Sequence, residues 1–161
     1  MGQFWRAPKS NLNNPLLLSA GMGHTLAIMP PPAPVPFASV SPKLTITGGR
    51  NPGFDLTETF TLGASSNGMN PTAEYVTLQI GTYGVVFPIG SFQSNANGKS
   101  AFSGVLNGVN LSVTIQPAGG NSYSFKASGD GVNLSTLINP IPVIVAIGND
   151  SGSATVFATF R

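Results

Sequence analysis

Five carboxylates and one imidazole are all that this chain offers for acid–base chemistry: Asp55, Glu58, Glu74, Asp130, Asp150 and His24. A glycosidase needs two carboxyl groups flanking one bond, and here each acid stands in a separate strand or turn with no close-spaced partner. A Ser-His-Asp arrangement would have to use His24, which lies well before every acid in the chain. There is no cysteine, which excludes a thiol nucleophile, a thiolate metal site and a disulfide frame. Asn149-Asp150-Ser151 and Asp130 have the oxygen ligands that Ca²⁺ favours, but Asn and Asp are also the residues that tight turns select, and the turn reading is preferred. Gly119-Gly120 and Gly129-Asp130-Gly131 lack the spacing and the strand-to-helix context of a phosphate loop. The residues therefore point to a protein that is not an enzyme and calls for no metal and no cofactor.

Three sequons offer a different chemistry. Asn110-Leu111-Ser112, Asn133-Leu134-Ser135 and Asn149-Asp150-Ser151 make Asn110, Asn133 and Asn149 candidate N-glycosylation sites, whereas Asn70-Pro71-Thr72 is disqualified by its proline. Asn149 is the best placed, because it falls in a predicted turn. Attached glycans would help to hydrate a chain with so few charges.

Charged residues make up only 7% of the 161 residues, against roughly 25% in an average soluble domain. Ser, Thr, Asn and the backbone must hold water instead, and like-charge repulsion between copies is weak, so dense self-packing costs little. The net charge of +2 is spread over Arg6, Lys9, Lys43, Arg50, Lys99, Lys126 and Arg161 with no basic stripe, so nucleic acid is not an expected partner. No run of about 20 apolar residues occurs, so no membrane span is expected. A signal-peptide reading of Leu16-Leu17-Leu18 is opposed by Gly21, Gly23 and His24 and by the prolines that crowd the cleavage region.

The elements that carry these residues divide in two. Residues 1–42 form an arm of short apolar runs, Leu16-Leu17-Leu18 and His24-Thr25-Leu26-Ala27-Ile28-Met29, ending in Pro30-Pro31-Pro32-Ala33-Pro34-Val35-Pro36. The arm is too apolar for an ordinary tail, and its Gly and Pro residues forbid a useful helix, so it needs a surface to lie on. Residues 43–161 alternate apolar and polar positions with period two. Strands are predicted at 43–47, at one or two places within 55–61, and at 74–80, 83–87, 101–106, 109–115, 122–127, 142–147 and 154–160. Asn107-Gly108 is the strongest hairpin signal, and 81–84, 117–121 and 148–152 supply further reversals. About nine short strands mean an all-β fold, an antiparallel sandwich or jelly roll.

The segments Val76-Thr77-Leu78-Gln79-Ile80-Gly81, Phe87-Pro88-Ile89-Gly90-Ser91-Phe92, Leu106-Asn107-Gly108-Val109 and Ile147-Gly148-Asn149-Asp150-Ser151-Gly152 resemble an uncharacterised β-domain of bacterial secreted proteins. That resemblance covers about half the chain and implies export and a β-sandwich. With its apolar arm the whole also resembles subunits of extracellular fibrils in which an N-terminal segment completes a neighbour's sheet.

Strand donation is the expected mechanism. Residues His24, Thr25, Leu26, Ala27, Ile28 and Met29 would form the donor, with Leu26 and Ile28 toward the neighbour's core, and Gly23 to Met29 would span about 23 Å. Phe4, Trp5, Leu16, Leu17 and Leu18 would anchor the arm elsewhere. Pro30 to Pro36 would act as a stiff spacer of roughly 22 Å that resists folding back. Donor and acceptor are different surfaces, so the contact would be heterologous and would propagate into a homopolymer, an extracellular filament. Two other readings compete: a secreted module binding carbohydrate or a surface protein through its loops, and a viral coat subunit with an arm.

Overall fold

Alternation of apolar and polar residues builds the described sandwich from strands. The computed structural model describes residues 17–21, 24–28 and 33–161, and it has no helix among them. The chain divides into two units, Met1–Ala33 and Pro34–Arg161. In the first, β1 (Leu17–Gly21) and β2 (His24–Ile28) form an antiparallel sheet of their own, with Leu17 opposite Ile28 and Gly21 opposite His24.

The second unit is a two-sheet sandwich. Its first strands are β3 (Val35–Pro36), β4 (Ser39–Thr47), β5 (Gly53–Thr61), β6 (Val76–Ile80) and β7 (Tyr83–Phe87). They are followed by β8 (Gln93–Ser94), β9 (Ser100–Leu106), β10 (Val109–Gly119) and β11 (Ser122–Asp130). β12 (Ile141–Ile147), β13 (Asp150–Val156) and β14 (Thr159–Phe160) complete it. One sheet has the order β14-β4-β5-β11-β10-β9-β8 and the other β3-β13-β12-β6-β7. Strands β3, β8 and β14 have two residues each, and the other nine of this unit have five or more. These nine are the strands that alternation can reveal.

Three features depart from the sequence reading. Both sheets are mixed rather than purely antiparallel, because β3 lies parallel to β13 and β14 parallel to β4. The expected single strand over 154–160 is two strands joined by a crossing from one sheet to the other. The sandwich also begins earlier than residue 43: Phe37 is buried and stacks on Phe60 with ring centroids 4.3 Å apart, and β4 already starts at Ser39.

The inward positions of the two sheets meet in one core. Leu56, Phe60, Val113, Ile115 and Phe125 come from the larger sheet, and Leu78, Ile80, Phe87, Val143, Val145 and Ile147 from the smaller. The outward face of the larger sheet is a grid of small polar groups. One cross-strand row runs Thr45, Asp55, Ser128, Ser112, Ser103, the next Lys43, Thr57, Lys126, Thr114, Ala101, and a third Ser41, Thr59, Ser124, Gln116. Ser and Thr hydroxyls supply most of the polar groups on this face, with Asp55, Lys43 and Lys126 among them.

Two local choices fix the geometry. Asn107 and Gly108 both adopt positive φ, 52° and 79°, which is what a type I′ hairpin demands and what the Asn-Gly pair supplies. At Gly152 the chain passes so close to β4 that an added Cβ would lie 2.5 Å from both Phe37 Cδ2 and Val40 Cγ2. Only a residue without a side chain lets β13 close that flank.

Candidate assembly surfaces

An added strand binds through backbone N–H and C=O groups that no neighbour has taken, so the register decides what each sheet edge offers. In a two-residue hairpin the residues flanking the turn exchange both main-chain bonds, and the exchange recurs at every second residue. In β6–β7 the turn is Gly81-Thr82, so Tyr83, Val85 and Phe87 bond to β6 while Gly84 and Val86 direct their backbone groups outward. β7 ends its sheet, and no other described strand pairs with it. The turn Asn107-Gly108 in the same way leaves Ser103 and Val105 of β9 outward, although β8 covers the start of that strand at Ser100 and Ala101.

The opposite flank is different. Ser151 of β13 already accepts from the Phe37 N–H at 2.7 Å, and β3 covers the start of that strand. On β4 the Ile46 carbonyl accepts from the Arg161 N–H, and the Gly48 N–H donates to the Arg161 carbonyl, each at 2.9 Å. Even-numbered residues of β4 therefore point their backbone outward, and the middle one of the uncovered stretch is Pro42, which has no N–H to offer. Lys43 adds a charge beside it.

Beside β7 lies an apolar patch. Tyr75, Val86 and Ile89 are 57%, 53% and 53% exposed. Val86 pairs across the hairpin with Thr77, which makes it a diagonal neighbour of Tyr75. Beneath the edge, Phe87 meets Phe102 at 5.0 Å and Phe92 at 5.5 Å, filling the core behind it.

The residues singled out from sequence fall as follows. His24, Thr25, Leu26, Ala27 and Ile28 are the five residues of β2, and Leu17 and Leu18 open β1, so the expected donor has a pairing partner within the arm itself. Phe4, Trp5, Leu16 and Met29 lie outside the described residues. Asn110 is exposed on β10, Asn133 is exposed in the loop before β12, and Asn149 is half-buried in the β12–β13 turn with its carbonyl accepting from Val35 N–H at 2.8 Å. The Asn133 side-chain oxygen accepts from both the N–H and the hydroxyl of Ser135, at 3.0 and 2.7 Å.

The acids sort into exposed and buried. Asp55 and Asp130, far apart in sequence, become diagonal neighbours on the outer face of β5 and β11, both exposed. A groove of about 530 Å³ on the same sheet, lined by Gln93, Asn95, Lys99, Ser103, Ser112 and Thr114 among others, has no acid or histidine in its wall. Among the described residues no three His, Cys, Asp or Glu side chains gather as a metal site would require. Glu58 and Asp150 are fully buried, and none of their carboxylate oxygens has a hydrogen-bond partner. Burial alone pushes the Glu58 carboxyl from an ordinary 4.5 up to about 7, and it also raises the Tyr83 phenol. The sequence carried the Glu58 signal: it occupies the same phase as Phe54, Leu56 and Phe60 and so must face inward.

Compared with models of protein families, with curated proteins and with solved structures, the chain matches none. No helix among the described residues is long and apolar enough to cross a membrane.

Proposed function

We propose that this chain is a structural subunit that assembles with copies of itself, its N-terminal arm adding as β-structure to the sheet edge of the next subunit in an extracellular filament. One observation carries the reading: the smaller sheet ends in a five-residue strand with no charge and no proline that no further described strand caps, and the arm holds two five-residue strands that are equally free of charge. Natural sandwiches guard such an edge with lysine, proline, a bulge or a covering segment, because its unpaired groups template further strands. An edge left unguarded fits one that is covered in use. The low charge of the whole chain agrees with this, since packed copies repel one another little. Burying the arm's apolar side chains would contribute on the order of 10 kcal/mol gross, before the cost of ordering it. Donor and acceptor are different surfaces, so each subunit that gives an arm also takes one and the contact propagates.

The test compares the full chain with a version beginning at Pro34, by negative-stain electron microscopy and sedimentation. The cut falls there because Phe37 and β3 belong to the sandwich. Filaments from the full chain and monomers from the shortened one are expected. Equal behaviour of the two would refute the proposal.

A further inference from the structure

We infer that the acceptor of the arm is the free edge of β7, at Gly84 and Val86, in a second copy of this chain; this rests on the assembly reading above. Besides β4, whose outward row is broken at Pro42, three edges of the sandwich have outward backbone groups that described strands leave unpaired on both N–H and C=O: β7 at Gly84 and Val86, β9 at Ser103 and Val105, and β13 at Ser153 and Thr155. The last two begin under a cover, β8 on one and β3 on the other, and β13 is also drawn against β4 at Gly152. No described strand covers β7 at any point along its length.

Its length matches the occupant. β7, β1 and β2 each have five residues, so one arm strand saturates the edge before Pro88 ends it. Chemistry matches too. Tyr75 and Val86 form an apolar border on the outer face, with Ile89 exposed in the turn just beyond the strand, whereas Val105 on β9 stands among Ser103 and Asn110. An arm carrying Leu17, Leu18, Leu26 and Ile28 gains more from the first border than from the second. Main-chain bonds at Gly84 and Val86 would supply the affinity, and the apolar border would select the arm over a polar strand.

The experiment uses the full-length chain with single lysines on two edges. Val86 and Val105 are both more than half exposed, so Val86→Lys and Val105→Lys should fold alike, which circular dichroism and thermal melting check. Electron microscopy and sedimentation then read assembly. The expected result is loss of filaments with Val86→Lys and filaments like the parent's with Val105→Lys. Filaments from Val86→Lys, or equal loss from both, would overturn the assignment to β7. If Val86→Lys still polymerises while the chain lacking residues 1–33 does not, the arm reading stands and only the acceptor is wrong. If the parent chain itself stays monomeric, both fall.

Discussion

The free edge of β4 and the free edge of β7 are built from the same sandwich by opposite rules. On β4 the backbone groups at Val40, Pro42 and Leu44 face outward, and the central one lacks its N–H, with Lys43 adjoining and β14 capping the end. On β7 both Gly84 and Val86 have N–H and C=O to give, and no charge lies in the strand. Proline and lysine thus blunt the β4 edge, whereas no such residue lies in β7. Under the proposed assembly, that asymmetry would leave one edge to accept an arm and make the contact directional.

The two flanks also differ inside, which gives ways to break the contrast. The largest effect is expected on the β7 side. Phe87 is fully buried and holds Phe92 and Phe102 in edge contact, so Phe87→Ala should cost about 3–5 kcal/mol in urea unfolding and should abolish assembly with it. A loss below about 1 kcal/mol would mean that the aromatic trio does not support this edge.

On the β4 side the next effect is electrostatic. Glu58 lies opposite Pro42 in the register, buried and unpartnered. Its carboxyl titrates near 7 when folded, against 4.5 ordinarily. Between those values the folded chain holds a proton that the unfolded chain has released, so stability falls as pH rises through this window. It is greatest below 4.5 and level above about 7, a loss of about 3 kcal/mol. Chemical denaturation from pH 4 to 8 checks this, and Glu58→Gln should flatten the slope. A Glu58→Gln chain with the parent's pH profile would remove Glu58 as its source.

Smaller again is Gly152→Ala. Its methyl would press on Phe37 and Val40, so about 1–3 kcal/mol of destabilisation is expected by thermal melting, while a neutral result would mean that this flank is loosely closed. The smallest change in stability, within about 0.5 kcal/mol, is expected for Pro42→Val combined with Lys43→Thr. Yet that pair unblocks β4, and light scattering should report a second mode of association, branched or amorphous, that the parent lacks. If nothing new associates, Pro42 and Lys43 are not what guards the edge.

Much of this was legible in the chain before folding. Period-two alternation located the nine longer strands, and Asn107-Gly108 located a hairpin, because those signals are local. Two-residue strands such as β3, β8 and β14 carry no period and depend on what chance contact the tertiary fold offers them. The boundary expected near residue 42 lies inside β4 because proline reads as a strand breaker, although on an edge its missing N–H simply faces outward. Residues 24–28 were legible as a strand, but their partner was not, since Leu17–Gly21 has no alternation to mark it. Nor does any local pattern say which strand ends a sheet. The β7 edge emerges only from strand order, and with it the candidate acceptor.

Hydrogen exchange resolved by residue, on the full-length chain before and after assembly, tests the central claim most directly. Tyr83, Val85 and Phe87 bond within the β6–β7 hairpin and should be protected in both states. The amides of Gly84 and Val86 are expected to exchange freely in the dispersed chain and to become protected in the assembled one. Free exchange at both amides in the assembled state would contradict the central claim.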